Sequence, residues 1–430
     1  MAKLQSLLAA LLAGSSILGG VLAHPGETHS VQKVKKSIAE RDLAIAHSKR
    51  VTQQCAAKPK HRSLQARSAA RRSMTAQLLR EKRGIVDKPM IARRDQDALD
   101  AWLNTCHDQG ASVEYELSTE ESVIFTSNAT TALTPETIIG PYFVAGEHIR
   151  SNITEGQAGV PIHLDIQFID IETCEPVPNM LVDVWHSNAT GSYSGVGGAG
   201  QGDLNTTFCR GVQSTDKDGV TQFDSIYPGH YVGRTIHIHV VTRRGGKILP
   251  NGTYTGGTVN HIGQIYFDQE LNDAVESLEP YISNTAQRTT NVGDFLTADE
   301  ATADYDPFLD YIRLGDDAND GLLMWITIGI NTTADYDDMA MEAAHLYKEG
   351  GKSSNGGMGG MPPFPANFTG FPPGVPFPTG AFPPGMPFPT GGFPGFPTGA
   401  GGAQATAKPW GPCLRKTKDD KKEEPEDKPE

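Results

Sequence analysis

The stretch Val160-Pro-Ile-His-Leu-Asp-Ile-Gln-Phe168 alternates apolar and polar side chains. Because successive side chains of a β-strand point to opposite faces, this alternation predicts a strand with one buried face. Turn segments rich in Gly, Asp and Asn separate it from further apolar, β-branched runs. Many short strands with little helix between them indicate a mainly β fold with an antiparallel β-sandwich core over residues 120–345. The further predicted strands are Met180–Trp185, Thr235–Val241, Gly263–Phe267 and Leu322–Ile330.

The segments on either side of this core have a different composition. Residues 24–115 lack strand alternation and are basic, with helical stretches at Val31–Arg50 and Asp95–Cys106. Their dibasic pairs, such as Arg71-Arg72, could be processing sites, so this segment is either retained or cleaved. Residues 350–430 are rich in Gly, Pro and Phe and then in charge, which predicts a disordered tail.

The charge of the chain is divided unevenly along its length. The net charge is −14, yet residues 24–95 contain 18 Lys and Arg against 6 Asp and Glu, a surplus of +12 that leaves −26 for the rest. An acidic main body argues against a nucleic-acid partner. In the basic segment, the Lys and Arg residues are scattered without interleaved aromatics, so a processed or solvated leader is the expectation there.

The first 23 residues predict export. A lysine precedes an apolar run that ends in Val21-Leu22-Ala23, which is the pattern of a signal peptide with its cleavage site. No later run reaches the roughly 20 apolar residues of a membrane-spanning helix. Seven Asn-x-Ser/Thr sequons fit a secreted glycoprotein, and they start at Asn128, Asn152, Asn188, Asn205, Asn251, Asn331 and Asn367.

Five cysteines fit an oxidising compartment. Cys174 and Cys209 flank one hairpin-sized region and are predicted to form a disulfide. Cys55 and Cys106 are a second candidate pair, which leaves Cys413 unpaired in the tail.

His237 and His239 are the first indication of a functional site. They lie two residues apart on a predicted strand, so both imidazoles point to one face, whereas Ile236, Ile238 and Val240 point to the other. Two buried imidazoles without partners are costly. Either this face is solvated, or the pair binds a metal ion.

Two tyrosines near these histidines favour the metal. Tyr231 precedes His237 by six residues, and Tyr193 closes the segment Trp185-His-Ser-Asn-Ala-Thr-Gly-Ser-Tyr193. Phenolate oxygens and imidazole nitrogens form a hard donor set that suits Fe(III), whereas zinc more usually takes cysteine or a third histidine. A 2-His-1-carboxylate Fe(II) site would need Asp216 or Asp218 and stays an alternative.

These residues resemble the intradiol ring-cleavage dioxygenases. The segment Val182-Asp-Val-Trp-His-Ser-Asn-x-x-Gly-x-Tyr193-Ser, followed by Tyr231, Arg234 and His237-x-His239, is similar to the family's ordered Tyr, Tyr, His, His motif. Gly140-Pro-Tyr-Phe143 looks like its substrate-side segment, and Gln264 falls where the family keeps a glutamine. The interval between Tyr231 and His237 is shorter than in cytosolic members of the family. In this respect the sequence is similar to a secreted fungal branch. Because the short interval could prevent Tyr231 from reaching the metal, its neighbour His230 is a second, less favoured candidate for this ligand.

The resemblance implies a secreted Fe(III)-dependent enzyme that opens catechol-type rings with O2 to muconate-type diacids. It implies that Tyr193, Tyr231, His237 and His239 hold the iron and that Tyr231 also accepts substrate protons. Arg234 would stabilise negative charge on the ring, and Gln264 and Tyr142 would orient the substrate. His186 is expected to be a packed, hydrogen-bonded histidine.

Other functions remain open at this point. A secreted wall-associated binding protein could keep the sandwich without turnover, with the tail providing cell-wall association. A copper site at His24 is a second alternative, although no partner histidine has the strand context of His237 and His239. A homodimer through the helical segment is a further expectation that the sequence leaves open.

Overall fold

Two four-stranded sheets build the fold in the computed structural model, which describes residues 58–85, 107, 125, 137–198, 200–301, 305–315 and 317–354. The strands are Val144–Ala145 (β1), Pro161–Asp170 (β2), Leu181–Trp185 (β3), Arg210–Ser214 (β4), Val220–Ile226 (β5), His237–Arg244 (β6), Lys247–Ile248 (β7), Tyr254–Thr255 (β8), Thr258–Tyr266 (β9), Asp310–Arg313 (β10), Leu322–Ile330 (β11), Ala344–Tyr347 (β12) and Gly350–Ser353 (β13). The α-helices are Pro59–Arg83 (α1), Gln269–Glu276 (α2) and Phe295–Glu300 (α3), and the 3₁₀ turns are Tyr281–Ser283, Asn291–Gly293, Ala318–Asp320 and Asp337–Met339.

One sheet has the order β10-β11-β2-β5 and the other has the order β4-β3-β6-β9. All neighbours are antiparallel except β11 and β2, which run parallel from Leu322↔Ile162 to Ile330↔Asp170. A small sheet of β1, β12 and β13 and a two-stranded sheet of β7 and β8 complete the fold. The mainly β prediction is confirmed. The sequence did not indicate the two parallel strand pairs, β2 with β11 and β1 with β12, and the last described strand ends beyond residue 345.

Apolar side chains of both large sheets meet in one core. Strand β2 contributes its even-numbered residues, such as Leu164 and Phe168, whereas β6 contributes Ile238 and Val240. These side chains are fully buried. Because the strand period is two, the odd-numbered residues of β6 point away from this core. This period sets His237 and His239 on the outer face of the second sheet, as the sequence predicted.

Helix α1 covers the outer face of the other sheet. It begins with a proline at its first turn and ends at Gly84, whose φ of 69° is the left-handed conformation of a helix C-cap. Arg71 and Arg72 both donate to Asp165, which is fully buried on β2. The dibasic pair proposed as a processing site therefore lies inside a packed helix.

Several sequence expectations fall outside the described residues. They are the signal peptide 1–23, the helical stretches Val31–Arg50 and Asp95–Cys106, and residues 355–430 of the tail. The tail was predicted to be disordered from residue 350, but its first residues form β13. Helix α1 lies within the segment 24–115 that was expected to be partly helical. None of the described helices is long and apolar enough to cross a membrane.

The predicted Cys174–Cys209 disulfide is wrong. Cys209 is a free thiol packed among core residues of both sheets, and burial raises the pKa of this thiol to about 12. Cys174 is itself disulfide-bonded, so its partner is another cysteine. Proximity along the chain did not reveal that Cys209 occupies an apolar position of the core.

Candidate metal centre

Four side chains bring their donor atoms together on the outer face of the second sheet. The Tyr231 hydroxyl oxygen lies 3.2 Å from His237 Nε2, and the Tyr193 hydroxyl oxygen lies 3.5 Å from the same nitrogen. His239 Nε2 is 3.1 Å from His237 Nε2. All four residues of the predicted ligand set are therefore within reach of one common point.

The strand register explains why the histidines converge. His237 and His239 lie on the central strand β6, opposite Tyr266 and Gln264 of β9. His239 also faces Trp185 of β3, and their rings stack with centroids 4.7 Å apart and planes at 1°. Both imidazoles are buried, so their orientation is held by packing on both sides.

The tautomer of His237 leaves its second nitrogen available. Nδ1 of His237 is 2.6 Å from the carbonyl oxygen of Thr235, a contact in which only the imidazole can donate. Nε2 then carries a lone pair and faces the other three donor atoms. Metal-binding histidines are commonly oriented in this way by a backbone carbonyl.

The electrostatics keep the imidazoles neutral. Burial, reinforced by the Arg234 charge, holds the pKa of His237 and of His239 well below the usual value. Burial raises the pKa of both phenols, with Arg234 opposing the rise at Tyr231. Uncharged imidazole is the form that binds a metal.

The loops that carry the tyrosines are fixed by neighbouring residues. His230 bonds through Nδ1 to Glu276 and through Nε2 to the carbonyl of Ala286. Its ring is therefore directed away from the centre, and only Tyr231 of the two candidates reaches it. On the other loop, a Cβ at Gly191 would lie 2.1 Å from the His230 carbonyl oxygen, so glycine is required there.

Tyr142 and Gly140 form the wall opposite the sheet. The Tyr142 ring stacks on Tyr193 with centroids 4.3 Å apart and lies edge-on to Tyr231. Gly140 has a φ of 77°, and a Cβ at this position would lie 3.2 Å from Cε1 of His239. This segment therefore packs directly against His239, Tyr193 and Tyr231.

Arg234 is held beside the donor atoms by an ion pair that the sequence did not reveal. Its Nε donates to Asp294 at 2.8 Å, and its Nη2 donates to Gln264 Oε1 at 2.7 Å. Burial alone would lower the pKa of Arg234, but Asp294 raises it, so this residue is a permanent cation. The predicted substrate-side residues Arg234 and Gln264 are thus direct neighbours.

Other side chains considered from sequence do not join this cluster. His186 is buried, with Nδ1 on the Ser187 carbonyl and Nε2 on Ser225, as expected of a packed histidine. Asp216 caps a turn by accepting from the amides of Asp218 and Val220. Among the described residues, no group of three or more His, Cys, Asp or Glu side chains is placed to bind a metal. A metal here would depend on the two phenols.

The donor set therefore fits a hard, trivalent cation. Two phenol oxygens and two neutral imidazole nitrogens match the preference of Fe(III) for oxygen and nitrogen ligands. No thiol is part of this cluster, which argues against a site of the structural zinc type.

Residues 138–248 match the family model described as Dioxygenase. Catechol 1,2-dioxygenase 1 of Acinetobacter lwoffii is 32% identical over 106 residues, which are 23% of this chain and 32% of that protein. The chain thus aligns with about a third of the length of this curated relative.

Solved structures of dioxygenases also align with part of the chain. An intradiol ring-cleavage dioxygenase from Tetranychus urticae is 28% identical, covers 48% of this chain and 98% of its own, and has a TM-score of 0.40. The mercury-inhibited catechol 1,2-dioxygenase from Acinetobacter sp. ADP1 is 21% identical, covers 48% of this chain and 64% of its own, and has a TM-score of 0.32.

Proposed function

We propose that the protein is an Fe(III)-dependent intradiol dioxygenase of catechol-type aromatics, because residues 138–248 match the Dioxygenase family model. The reaction consumes one O2, breaks the bond between the two hydroxyl-bearing carbons, and yields a muconate-type diacid. The observation that carries the proposal is the convergence of Tyr193, Tyr231 and His239 on His237 Nε2 within 3.5 Å.

Tyr193, Tyr231, His237 and His239 would hold the iron. When bound, Fe(III) supplies Lewis acidity and a template for the diol. Because Thr235 fixes the tautomer of His237 and Trp185 stacks on His239, neither imidazole has to reorganise to bind. Such preorganisation of ligands favours metal affinity and a single geometry.

Tyr231 is also suited to receive a substrate proton. Unlike Tyr193, which is 1% exposed, Tyr231 is only half-buried and lies in a short loop between Gly229 and Gly233. Held as a phenolate, Tyr231 would accept a proton at Oη from an arriving diol and become a neutral phenol. This role assigns acid–base chemistry to one residue of the donor set.

Arg234 and Gln264 provide the polar side of the substrate site. The guanidinium of Arg234 stabilises negative charge on the diol and the ring, and it acts in a largely buried environment where such charge interactions are strong. Gln264 accepts from Arg234 through Oε1, and its Nε2 donates to the carbonyl oxygen of Ile138 at 3.5 Å, which leaves its second N–H to orient the substrate. Tyr142 offers a flat aromatic face at 21° to Tyr193 for a planar substrate.

We also propose that the protein is exported. Asn152 and Asn251, which begin two of the sequons, are exposed. In each, the asparagine Oδ1 accepts from the amide and the hydroxyl of the threonine two residues later. This arrangement leaves the asparagine nitrogen on the outside, where a glycan can be carried. Glycopeptide mass spectrometry of the protein secreted by a eukaryotic host tests this part.

Purified protein loaded with iron should consume O2 in the presence of at least one member of a panel of catechols. The panel includes catechol, hydroxyquinol and protocatechuate, and product is read by ultraviolet absorbance and chromatography. Bound iron with a tyrosinate-to-Fe(III) visible absorption band is the second expected result. Colourless, iron-free protein without oxygen uptake would instead support a secreted binding protein.

A further inference from the structure

Helix α3 places a carboxyl group at each of its ends against the substrate side of the donor cluster. Asp294 is the N-cap residue, and Glu300 is the last helical residue. Asp294 is 1% exposed and Glu300 is 0% exposed. Buried carboxylates are costly unless they are paired, so their partners indicate what they do.

Asp294 holds both the side chain of Arg234 and the backbone that leads to His237. Its Oδ2 accepts from Arg234 Nε at 2.8 Å and from the amide of Thr235 at 2.8 Å. Its Oδ1 accepts from the amide of Leu296, which caps α3. One carboxylate thus couples the helix start to the guanidinium and to the residue whose carbonyl orients His237.

Glu300 holds the opposite side of the same polar group. Its Oε2 accepts from the backbone amide of Gln264 at 3.1 Å, and its Oε1 accepts from the Tyr266 hydroxyl at 3.1 Å. Arg234 Nη2 lies 3.4 Å from that hydroxyl. Glu300 therefore acts on Arg234 through Tyr266 and on the position of Gln264 through its backbone.

We propose that Asp294 and Glu300 are positioning residues that hold Arg234 and Gln264 in their reactive orientation. The inference rests on the proposed function and adds two residues to it. A guanidinium fixed at Nε and Nη2 by Asp294, Gln264 and Tyr266 keeps one plane and loses little entropy when charge develops beside it. Neither carboxyl group belongs to the donor cluster, and an asparagine at position 294 keeps an oxygen that can accept from the Thr235 amide, so the conservative variants should leave the metal in place.

The test compares Asp294→Asn and Glu300→Gln with Asp273→Asn as the matched control. Asp273 is an exposed carboxylate that also pairs with an arginine, Arg288. Because removal of one preorganised electrostatic contact costs about 10²–10³ in rate, and Asp294 acts through Arg234, we expect Asp294→Asn to lower kcat by at least about tenfold. KM, iron content and the visible absorption band should stay close to wild type, and Glu300→Gln should have a smaller effect in the same direction.

A second readout does not depend on turnover. The rate at which phenylglyoxal modifies Arg234 is measured by peptide mass spectrometry in the protein without added substrate. Because the Arg234 side chain is only 13% exposed and is paired with Asp294, we expect modification to be slow in wild type and several-fold faster in Asp294→Asn. Asp273→Asn should match wild type.

The outcomes separate this inference from the proposed function. A wild-type protein that cleaves no catechol overturns the proposed function, and the modification rates still decide whether Asp294 holds Arg234. If wild type is active but both variants turn over like Asp273→Asn, the positioning roles are wrong. Equal modification rates of Arg234 in all variants, or loss of iron together with activity, would also overturn them. Should Asp294→Asn fail to fold, Glu300→Gln, which keeps an acceptor oxygen, carries the kinetic test.

Discussion

The hydroxyl oxygen of Tyr231 lies 3.2 Å from Nε2 of His237, although only five residues separate the two along the chain. A turn that closes with a bridge between Tyr231 and Arg234 brings them together. His230, whose ring bonds to Glu276 on α2, anchors the start of this turn. The short interval between Tyr231 and His237 is thus compatible with four converging donor atoms.

Replacement of Tyr231 by phenylalanine removes one donor atom and keeps the ring. We expect Tyr231→Phe to weaken iron binding by at least about tenfold, a loss comparable to or larger than that from changing a neighbour of a metal ligand, and to abolish ring cleavage. Elemental analysis after dialysis against a chelator measures this. Tyr347→Phe, at an exposed tyrosine, is the control, and equal iron retention in both variants would remove Tyr231 from the donor set.

Gly140 should tolerate no side chain. Its φ of 77° is strained for any residue with a Cβ, and that Cβ would lie 3.2 Å from Cε1 of His239. We expect Gly140→Ala to cost about 1–3 kcal/mol of stability from backbone strain and to lower activity by displacing His239. Gly252→Ala, which also has a positive φ but open space around its Cβ position, separates strain from the contact. Equal activity of the two variants would show that the contact with His239 does not matter.

The ion pairs of Asp165 with Arg71 and Arg72, which join α1 to β2, should stabilise the fold. Burial opposes ionisation of Asp165, but the hydrogen bond and charge of Arg71 and the charge of Arg72 lower its pKa to about 2. A depressed folded pKa means that the stabilisation is present above the unfolded value of about 4 and is lost as pH falls through about 2. Because removing one partner strands a buried charge, we expect Asp165→Asn to cost about 3–5 kcal/mol in urea unfolding at neutral pH. A cost no larger than that of Asp273→Asn would contradict this.

His107 should make stability depend on pH in the opposite direction. Its ring is buried between Asp268 and Asp306. Burial lowers the pKa of His107, but the two carboxylates outweigh it and raise that pKa well above the usual value. The stabilisation is therefore complete below about 6.5 and is lost as pH rises through the higher folded pKa. Thermal unfolding of His107→Gln across neutral and alkaline pH should lack this decline, and a parallel decline in both proteins would refute the assignment.

The local pattern was sufficient to predict the histidine face and the strands that flank it. Period-two alternation in β2 and β6 depends only on neighbouring residues, and Ile238 and Val240 indeed face the core while His237 and His239 do not. Tyr193 and Tyr231 required the resemblance, because no periodicity shows where a loop tyrosine will point. The structure brings all four together.

Helix α1 and the partners of Arg234 could not be predicted in this way. The helix is held by Arg71 and Arg72, whose shared partner Asp165 lies more than 90 residues away, and a basic helix without a clear apolar stripe resembles a solvated leader. Asp294 and Glu300 are likewise distant in sequence from Arg234 and Gln264. Cys209 was misassigned for the related reason that burial in the core, not proximity to Cys174, determines its state.

The most direct test of the central claim is mass spectrometry of the product formed by the iron-loaded protein from a catechol under ¹⁸O2. An intradiol dioxygenase breaks the bond between the hydroxyl-bearing carbons and transfers both atoms of O2. We therefore expect a muconate-type diacid with label from O2, absent from a matched reaction of Tyr231→Phe. Unchanged catechol, or a ring-opened product without ¹⁸O, in reactions of protein that retains its iron would contradict the account.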